Sequence, residues 1–261
     1  MDRRIGSSSR RGIDLGRVYI GTMGWSYEFW RGNFYPQSMN IEDALKEYSK
    51  HFNAVEINSS FYRIPSQSMV RNWRDETPED FVFAAKFPRK VTHIKMLRDC
   101  EDDVEVFMKN ISQLEEKLGP LLLQFPSSFK ANNFKLLGDF LCALPEGYRY
   151  AVEVRDKNWF NNELSSLLRD NGIAIALLEH PWLPKIEVLT SGFVYIRWEG
   201  DHRKVSGTTG KVERDRTADI EKWAIKIKSL AVEHEVYGFF SKYFSGHPPT
   251  DAKLMNSQLR P

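Results

Sequence analysis

Polar and apolar positions alternate through Ala54–Pro65. In an extended chain Val55 and Ile57 face one side while Glu56 and Asn58 face the other. The apolar run Ile41–Phe52 comes just before and predicts a helix packed on the Val55/Ile57 side. Glu56 and Asn58 then turn toward the middle of a parallel sheet or barrel, where a carboxylate needs partners or a ligand. The pattern of an apolar strand with a polar tip recurs along the chain. Strands are predicted at Val18–Thr22, Ala54–Asn58, Phe81–Lys86, Leu121–Phe125, Tyr150–Arg155, Ile173–Glu179, Phe193–Trp198 and Glu235–Phe240. Helical patterns separate them at Ile41–Phe52, Gln67–Asp75, Asp99–Leu118, Asn133–Leu144, Asn161–Asn171 and Asp215–His234, and Gly119-Pro120 reads as the stop of the third. Such βα alternation implies a parallel sheet, and its length suits an α/β (β/α)8 TIM-barrel-like fold in a single domain. An open doubly wound sheet is the alternative.

The 261 residues, 41% hydrophobic and 13% aromatic, suffice for one full core, and a net charge of +2 gives no argument by itself for nucleic acid. No apolar run reaches the roughly 18 residues of a membrane span, so no membrane partner is expected. Cys100 and Cys142 lack metal or redox spacing, which fits a reducing, cytoplasmic setting. Residues 1–16 carry Arg3, Arg4, Arg10 and Arg11 and read as a disordered extension or as a basic arm for phosphates. The domain is placed at 17–252, residues 253–261 read as a frayed tail, and polar, Gly-rich Asp201–Arg214 as a mobile loop. The sequence names no cofactor and leaves the oligomeric state open.

In a barrel, ligands bind at the C-terminal ends of the strands. That rim is expected to hold Glu56, Asn58, Lys86, Gln124, Glu153, Arg155, Tyr195 and Arg197, with Glu179 and Glu199 nearby. Lysine and the planar arginine fork suit an anionic, phosphate-bearing ligand. Glu56 and Glu153, three strands apart, could serve as acid and base, and His93 is the best-placed histidine. Trp25, Tyr62 and Trp159, with basic residues between them, could stack on a base or sugar ring, as in single-stranded nucleic-acid binding, or form a hydrophobic lid. A plainer reading is an ion-pair network that satisfies itself, Glu56 with Lys86 and Glu153 with Arg155. For a metal, Glu56, Glu153, Glu179 and His180 are candidates, but none of the six histidines has a ligand spacing, and no metal is assigned. The function expected is therefore binding of an anionic sugar phosphate, nucleotide or nucleic-acid ligand at the mouth, with hydrolase, lyase or isomerase chemistry. The alternatives are a non-catalytic nucleic-acid module and a glycoside-type hydrolase.

Several stretches together resemble the uncharacterised DUF72, or YecE-like, family. They are Ile20-Gly21-Thr22-Met23-Gly24-Trp25-Ser26-Tyr27, Trp30–Pro36, Val55–Pro65, Phe83–Pro88 with Thr92-His93, Leu118–Pro126, and Val152–Arg155 with Trp159. The resemblance spans about Val18 to Ala252 and implies a TIM-barrel-like fold without a settled reaction. Two departures stand out. Glu199 occupies a place where the family pattern has histidine, and Ser241–Tyr243 replace an Asn-rich strand end.

Overall fold

A computed structural model describes residues 18–260, so the basic segment 1–16 lies outside the described residues. Among those residues, eight strands form one parallel sheet: β1 Val18–Thr22, β2 Ala54–Ile57, β3 Val82–Lys86, β4 Leu118–Gln124, β5 Tyr150–Glu153, β6 Ala174–Glu179, β7 Phe193–Trp198 and β8 Glu235–Phe240. Their order around the ring is β1-β8-β7-β6-β5-β4-β3-β2. The helices are α1 Ala44–Tyr48, α2 Ser59–Tyr62, α3 Gln67–Asp75, α4 Glu101–Ile111, α5 Phe134–Cys142, α6 Asn162–Asp170, α7 Thr217–Leu230, α8 Lys242–Ser245 and α9 Pro248–Leu259. The result is the expected TIM-barrel-like fold in a single domain, nearly closed, and not the open sheet. No helix among the described residues is long and apolar enough to cross a membrane.

Alternation along each strand divides the core in two. Val55 and Ile57 join the large outer cluster against the helices. Ala54, Ala84, Leu122, Ala151, Ala176, Tyr195 and Phe239 form a separate inner cluster. The small alanines let eight strands converge, and the next inward positions along β2, β3, β5 and β7 are Glu56, Lys86, Glu153 and Arg197. All four are buried.

The ring closes at β1 and β2 largely through side chains. One backbone bridge pairs Met23 with Glu56. Elsewhere the Tyr48 hydroxyl accepts from the Thr22 amide at 2.9 Å and donates to the Ala54 carbonyl at 3.0 Å. The Asn53 side-chain amide accepts from Ile20 N at 3.3 Å and donates to the Val18 carbonyl at 3.0 Å. The seam needs Gly21, because a Cβ there would lie 1.9 Å from the Ala54 carbonyl oxygen. Gly21→Ala should force the strands apart and lower stability by about 1–3 kcal/mol. Urea denaturation checks this, and an unchanged midpoint would mean that the seam yields freely.

Several boundaries differ from expectation for physical reasons. Asn58 lies outside β2, at the start of α2, and Arg155 lies just past β5. Gly119-Pro120 lies within β4 and does not end a helix. The register of β3 against β4 shifts there, from Phe83 opposite Leu118 to Ala85 opposite Leu121. This irregularity accommodates a proline without an amide hydrogen. The third predicted helix is α4 followed by the 3-10 segment Ser112–Lys117. The expected tail is instead the last half of α9, whose Ala252, Met255 and Leu259 are buried. That helix lies against β1, β8 and α7. The Asp201–Arg214 segment is tied down: Glu213 accepts from Ser206 N at 2.7 Å, Ser206 Oγ at 2.8 Å and Gly207 N at 2.9 Å.

Candidate functional site

Arg197, at the end of β7, is the hub of the barrel mouth. Its Nε and Nη2 bond both oxygens of Glu56 at 2.9 Å, a fork-to-fork pair. Nη1 bonds Glu153 Oε2 at 2.5 Å and also Glu199 Oε1, and Nη2 donates to Met23 Sδ at 3.2 Å. All five guanidinium hydrogens are therefore used, and Arg197 has no donor left for a ligand. Burial alone would lower its pKa, but Glu153, Glu199 and Glu56 outweigh that and raise it.

Glu56 is equally saturated. Besides the two arginine bonds it accepts from the Tyr195 hydroxyl at 2.8 Å and Asn58 Nδ2 at 3.0 Å. Four donors fill the roughly four lone-pair positions of a carboxylate, so no position remains for taking a substrate proton. Glu153 accepts from Arg155 Nε at 2.7 Å as well as from Arg197. Burial pushes its carboxyl up, but Arg197, Arg155 and Lys86 together hold it well below the usual range. Glu199 is lowered likewise, against burial, by Arg197 and Arg155. A glycosidase acid needs a raised carboxyl pKa, and the two carboxylates expected for that role instead hold an arginine between them.

The expected pairing of Glu153 with Arg155 is present, but that of Glu56 with Lys86 is not. Among the described residues the Lys86 ammonium has no carboxylate oxygen within 4.0 Å and no hydrogen-bond partner. Its Nζ lies 3.9 Å from the centroid of the Phe61 ring. The residue is 8% exposed. Burial first, and Arg197 second, bring its pKa down to about 8. The other face of the problem is His93, whose ring packs edge-on to Phe61 at 4.8 Å. Burial, Lys86 and Arg89 bring His93 down to about 4. Its Nδ1 lies 2.9 Å from Thr92 Oγ1, and that hydroxyl donates to the Pro88 carbonyl at 3.4 Å.

A cleft of about 410 Å³ opens onto the network. Arg155, His180, Trp182, Glu199, His202 and Tyr243 line it. Arg155 uses Nε and Nη2 on Glu153 and Glu199 and leaves Nη1 without a protein partner among the described residues. A larger cleft of about 520 Å³ lies between α4 and α5. It is mainly apolar and holds none of the network.

The aromatic residues are placed differently from expectation. Trp159 is fully buried, stacks on Phe129 at 5.5 Å and donates from Nε1 to the Phe129 carbonyl at 2.7 Å. It is a packing residue and cannot bind a ligand where it stands. Trp25 packs edge-on to Trp73 at 5.4 Å and Phe83 at 6.5 Å, as part of a packed cap. Tyr62 is 81% exposed. Gln124 is buried and donates to the Phe125 carbonyl at 2.7 Å. Glu179 points away from the mouth, to Arg216 at 3.4 Å and Trp223 Nε1 at 3.3 Å. Trp182 does line the cleft, beside Tyr243, with Arg203 4.2 Å above its ring. Its signal was its position in the loop after β6, on the ligand-binding end of a barrel. Among the described residues no group of three or more His, Cys, Asp or Glu could hold a metal ion.

Comparison with known proteins places this geometry among relatives. A family model described as "Protein of unknown function DUF72" matches residues 19–261. The UPF0759 protein YecE of Escherichia coli (strain K12) is 37% identical over 143 residues, covering 55% of this chain and 50% of that protein. The UPF0759 protein YunF of Bacillus subtilis (strain 168) is 30% identical over 159 residues, 55% of this chain and 52% of that protein. The chain thus spans about half the length of the curated relatives it matches. A crystal structure of a DUF72 family protein from Thermotoga maritima MSB8 superposes with a TM-score of 0.77 at 27% identity, covering 93% of this chain and 98% of that one. Another from Enterococcus faecalis V583, at 19% identity, has a TM-score of 0.74 over 93% of this chain and 95% of that one, a likeness of fold alone.

Proposed function

For this chain, which belongs to the DUF72 family, we propose that the barrel mouth binds an anionic small molecule bearing a phosphate or carboxylate. The observation that carries the proposal is the imbalance in partners. Arg197 is spent on three glutamates, whereas Lys86, 8% exposed, has no carboxylate oxygen within 4.0 Å among the described residues and feels Glu153, Glu199 and Glu56 only at longer range. An isolated buried charge is costly, and a bound anion would remove the cost. Arg155 Nη1 supplies a second donor from the cleft wall. Trp182 offers an apolar face in the same cleft as Arg155. Of the three cations from which the sequence expected this role, Lys86 and Arg155 keep it and Arg197 drops out. A single-stranded nucleic-acid reading loses support because Trp25 and Trp159 are packed.

The test is thermal stability against inorganic phosphate, sugar phosphates, small carboxylates and neutral sugars. A ligand specific to the folded state at a hundredfold excess over its Kd adds about 2.7 kcal/mol of stability. Phosphorylated or carboxylate compounds should raise the Tm, and Lys86→Met should weaken their binding about tenfold or more, the loss of one charge-assisted contact worth about 1.5–3 kcal/mol. Tm shifts with neutral sugars alone would defeat the proposal.

A further inference from the structure

The ion-pair network at the mouth leaves one reactive group unused, the Lys86 amine. We propose that Lys86 is the nucleophile of the site and forms a Schiff base with the aldehyde or ketone carbon of an anionic small molecule. This rests on the anion-binding reading of the same mouth and adds a substrate class and a covalent step to it.

Lys86 ends β3, on the inward face, next to a ring of carboxylates and guanidiniums that are all bonded to one another. Its Nζ is over the Phe61 ring, with no acceptor among the described residues to hold its protons. Desolvation on an aromatic face, beside another cation, is the setting that turns a lysine into a nucleophile. With its pKa at about 8, roughly a tenth of the amine is neutral at pH 7. An ordinary lysine is neutral in only about one molecule in a few thousand.

The neighbouring groups fit the remaining steps. The amine nitrogen adds to the carbonyl carbon, and the C=O π pair becomes the lone pair of an alkoxide. One proton moves from nitrogen to that oxygen, giving a carbinolamine. The proton that the ammonium gave up on becoming the neutral amine returns to the oxygen as the second proton, the oxygen leaves as water, and the nitrogen lone pair forms the C=N bond of the iminium. His93, held neutral at pH 7 and packed edge-on to the same Phe61 ring, would shuttle these protons. Arg155 Nη1 would hold the anionic end of the substrate in the cleft. No oxidant, metal or cofactor enters the balance.

The experiment is reductive trapping on the full chain at pH 7. The protein is incubated with glyoxylate, dihydroxyacetone phosphate or the neutral propionaldehyde, in the presence of sodium cyanoborohydride, and adducts are located by peptide mass mapping. Lys135, whose side chain is 87% exposed, is the internal reference. The expected result is an adduct at Lys86 that accumulates about tenfold or more faster than at Lys135 with either anionic probe, and that is lost in Lys86→Arg. Labelling of Lys86 no faster than Lys135 by every probe would overturn the proposal. If inorganic phosphate raises the Tm while Lys86 stays unlabelled, anion binding stands and the Schiff base falls. Equal preference of propionaldehyde and glyoxylate for Lys86 would keep the nucleophile and remove the anion.

Discussion

Replacing Arg197 with methionine is expected to destabilise the folded protein by about 3–5 kcal/mol, the cost of breaking a buried ion pair from one side. The reason is the number of groups that depend on this guanidinium. Glu56 and Glu153 are 0% and 1% exposed, and each takes at least one hydrogen bond from it. Without Arg197, Glu56 keeps only Tyr195 and Asn58, neither of them charged. Arg155 still serves Glu153 and Glu199, so the loss falls chiefly on Glu56. The double variant Arg197→Met/Glu56→Gln should therefore recover part of the stability, on the order of 1–2 kcal/mol, because it removes the stranded charge. Urea denaturation of the four proteins of this cycle measures both effects. A cost below about 1 kcal/mol for the single change would mean that water reaches the mouth and replaces the arginine.

Asp251→Asn should work in the opposite direction and raise stability at pH 7–8. Asp251 is 3% exposed in the first turn of α9, where it accepts from Ser245 Oγ at 2.6 Å. Burial raises its pKa to about 8, against the smaller opposing effects of Ser245 and Arg216. The folded protein therefore holds a proton there that the unfolded chain, with a pKa near 3.8, gives up. Where the folded state binds more protons, stability falls as pH rises. The contribution of Asp251 is complete below about pH 4, declines through pH 4–8, and is lost above pH 8. Asparagine keeps an oxygen to accept from Ser245 and does not titrate. The variant should match the wild type near pH 4 and gain on the order of 3–5 kcal/mol by pH 8. Measuring the difference between the two proteins cancels the other titrating groups. A difference that does not change between pH 4 and pH 8 would show that Asp251 is ionised within the fold.

The inward face of the barrel could be read from period-two alternation alone. Glu56, Lys86, Glu153 and Arg197 each lie two residues beyond a small or aromatic inward residue, Ala54, Ala84, Ala151 and Tyr195. Their partners could not be read in that way. Glu56 and Arg197 are 141 positions apart, whereas the sequence suggests the nearer pairs Glu56 with Lys86 and Glu153 with Arg155. The longer, forked arginine reaches across the mouth instead and displaces Lys86 onto Phe61. Aromatic residues after strands were ambiguous because a βα loop can turn a ring toward the mouth or under the adjoining helix. The 3-10 turn Lys157–Trp159 sends Trp159 under, against Phe129. Helix α9 did leave a signal, apolar residues at 252, 255 and 259 behind a Pro-Pro start. Glu199, noted only as a departure from the family pattern, is the third carboxylate of the network.

The seam between β1 and β2 also bears on how the chain matures during synthesis. The backbone ladder that holds β1 is formed with β8, and the helix packed beneath it is α9. When the ribosome has made β1 through β7, the hydrogen bonds that hold β1 to β2 among the described residues run through the Tyr48 and Asn53 side chains and one backbone bridge. Pairing between such distant segments is slow and waits on loop closure. The nascent chain can therefore assemble the β2–β7 sheet, and with it the Glu56–Arg197–Glu153 cluster, before the ring is shut. Closure becomes the final act of folding, and until β8 and α9 emerge the nascent chain exposes two sheet edges for chaperones to shield.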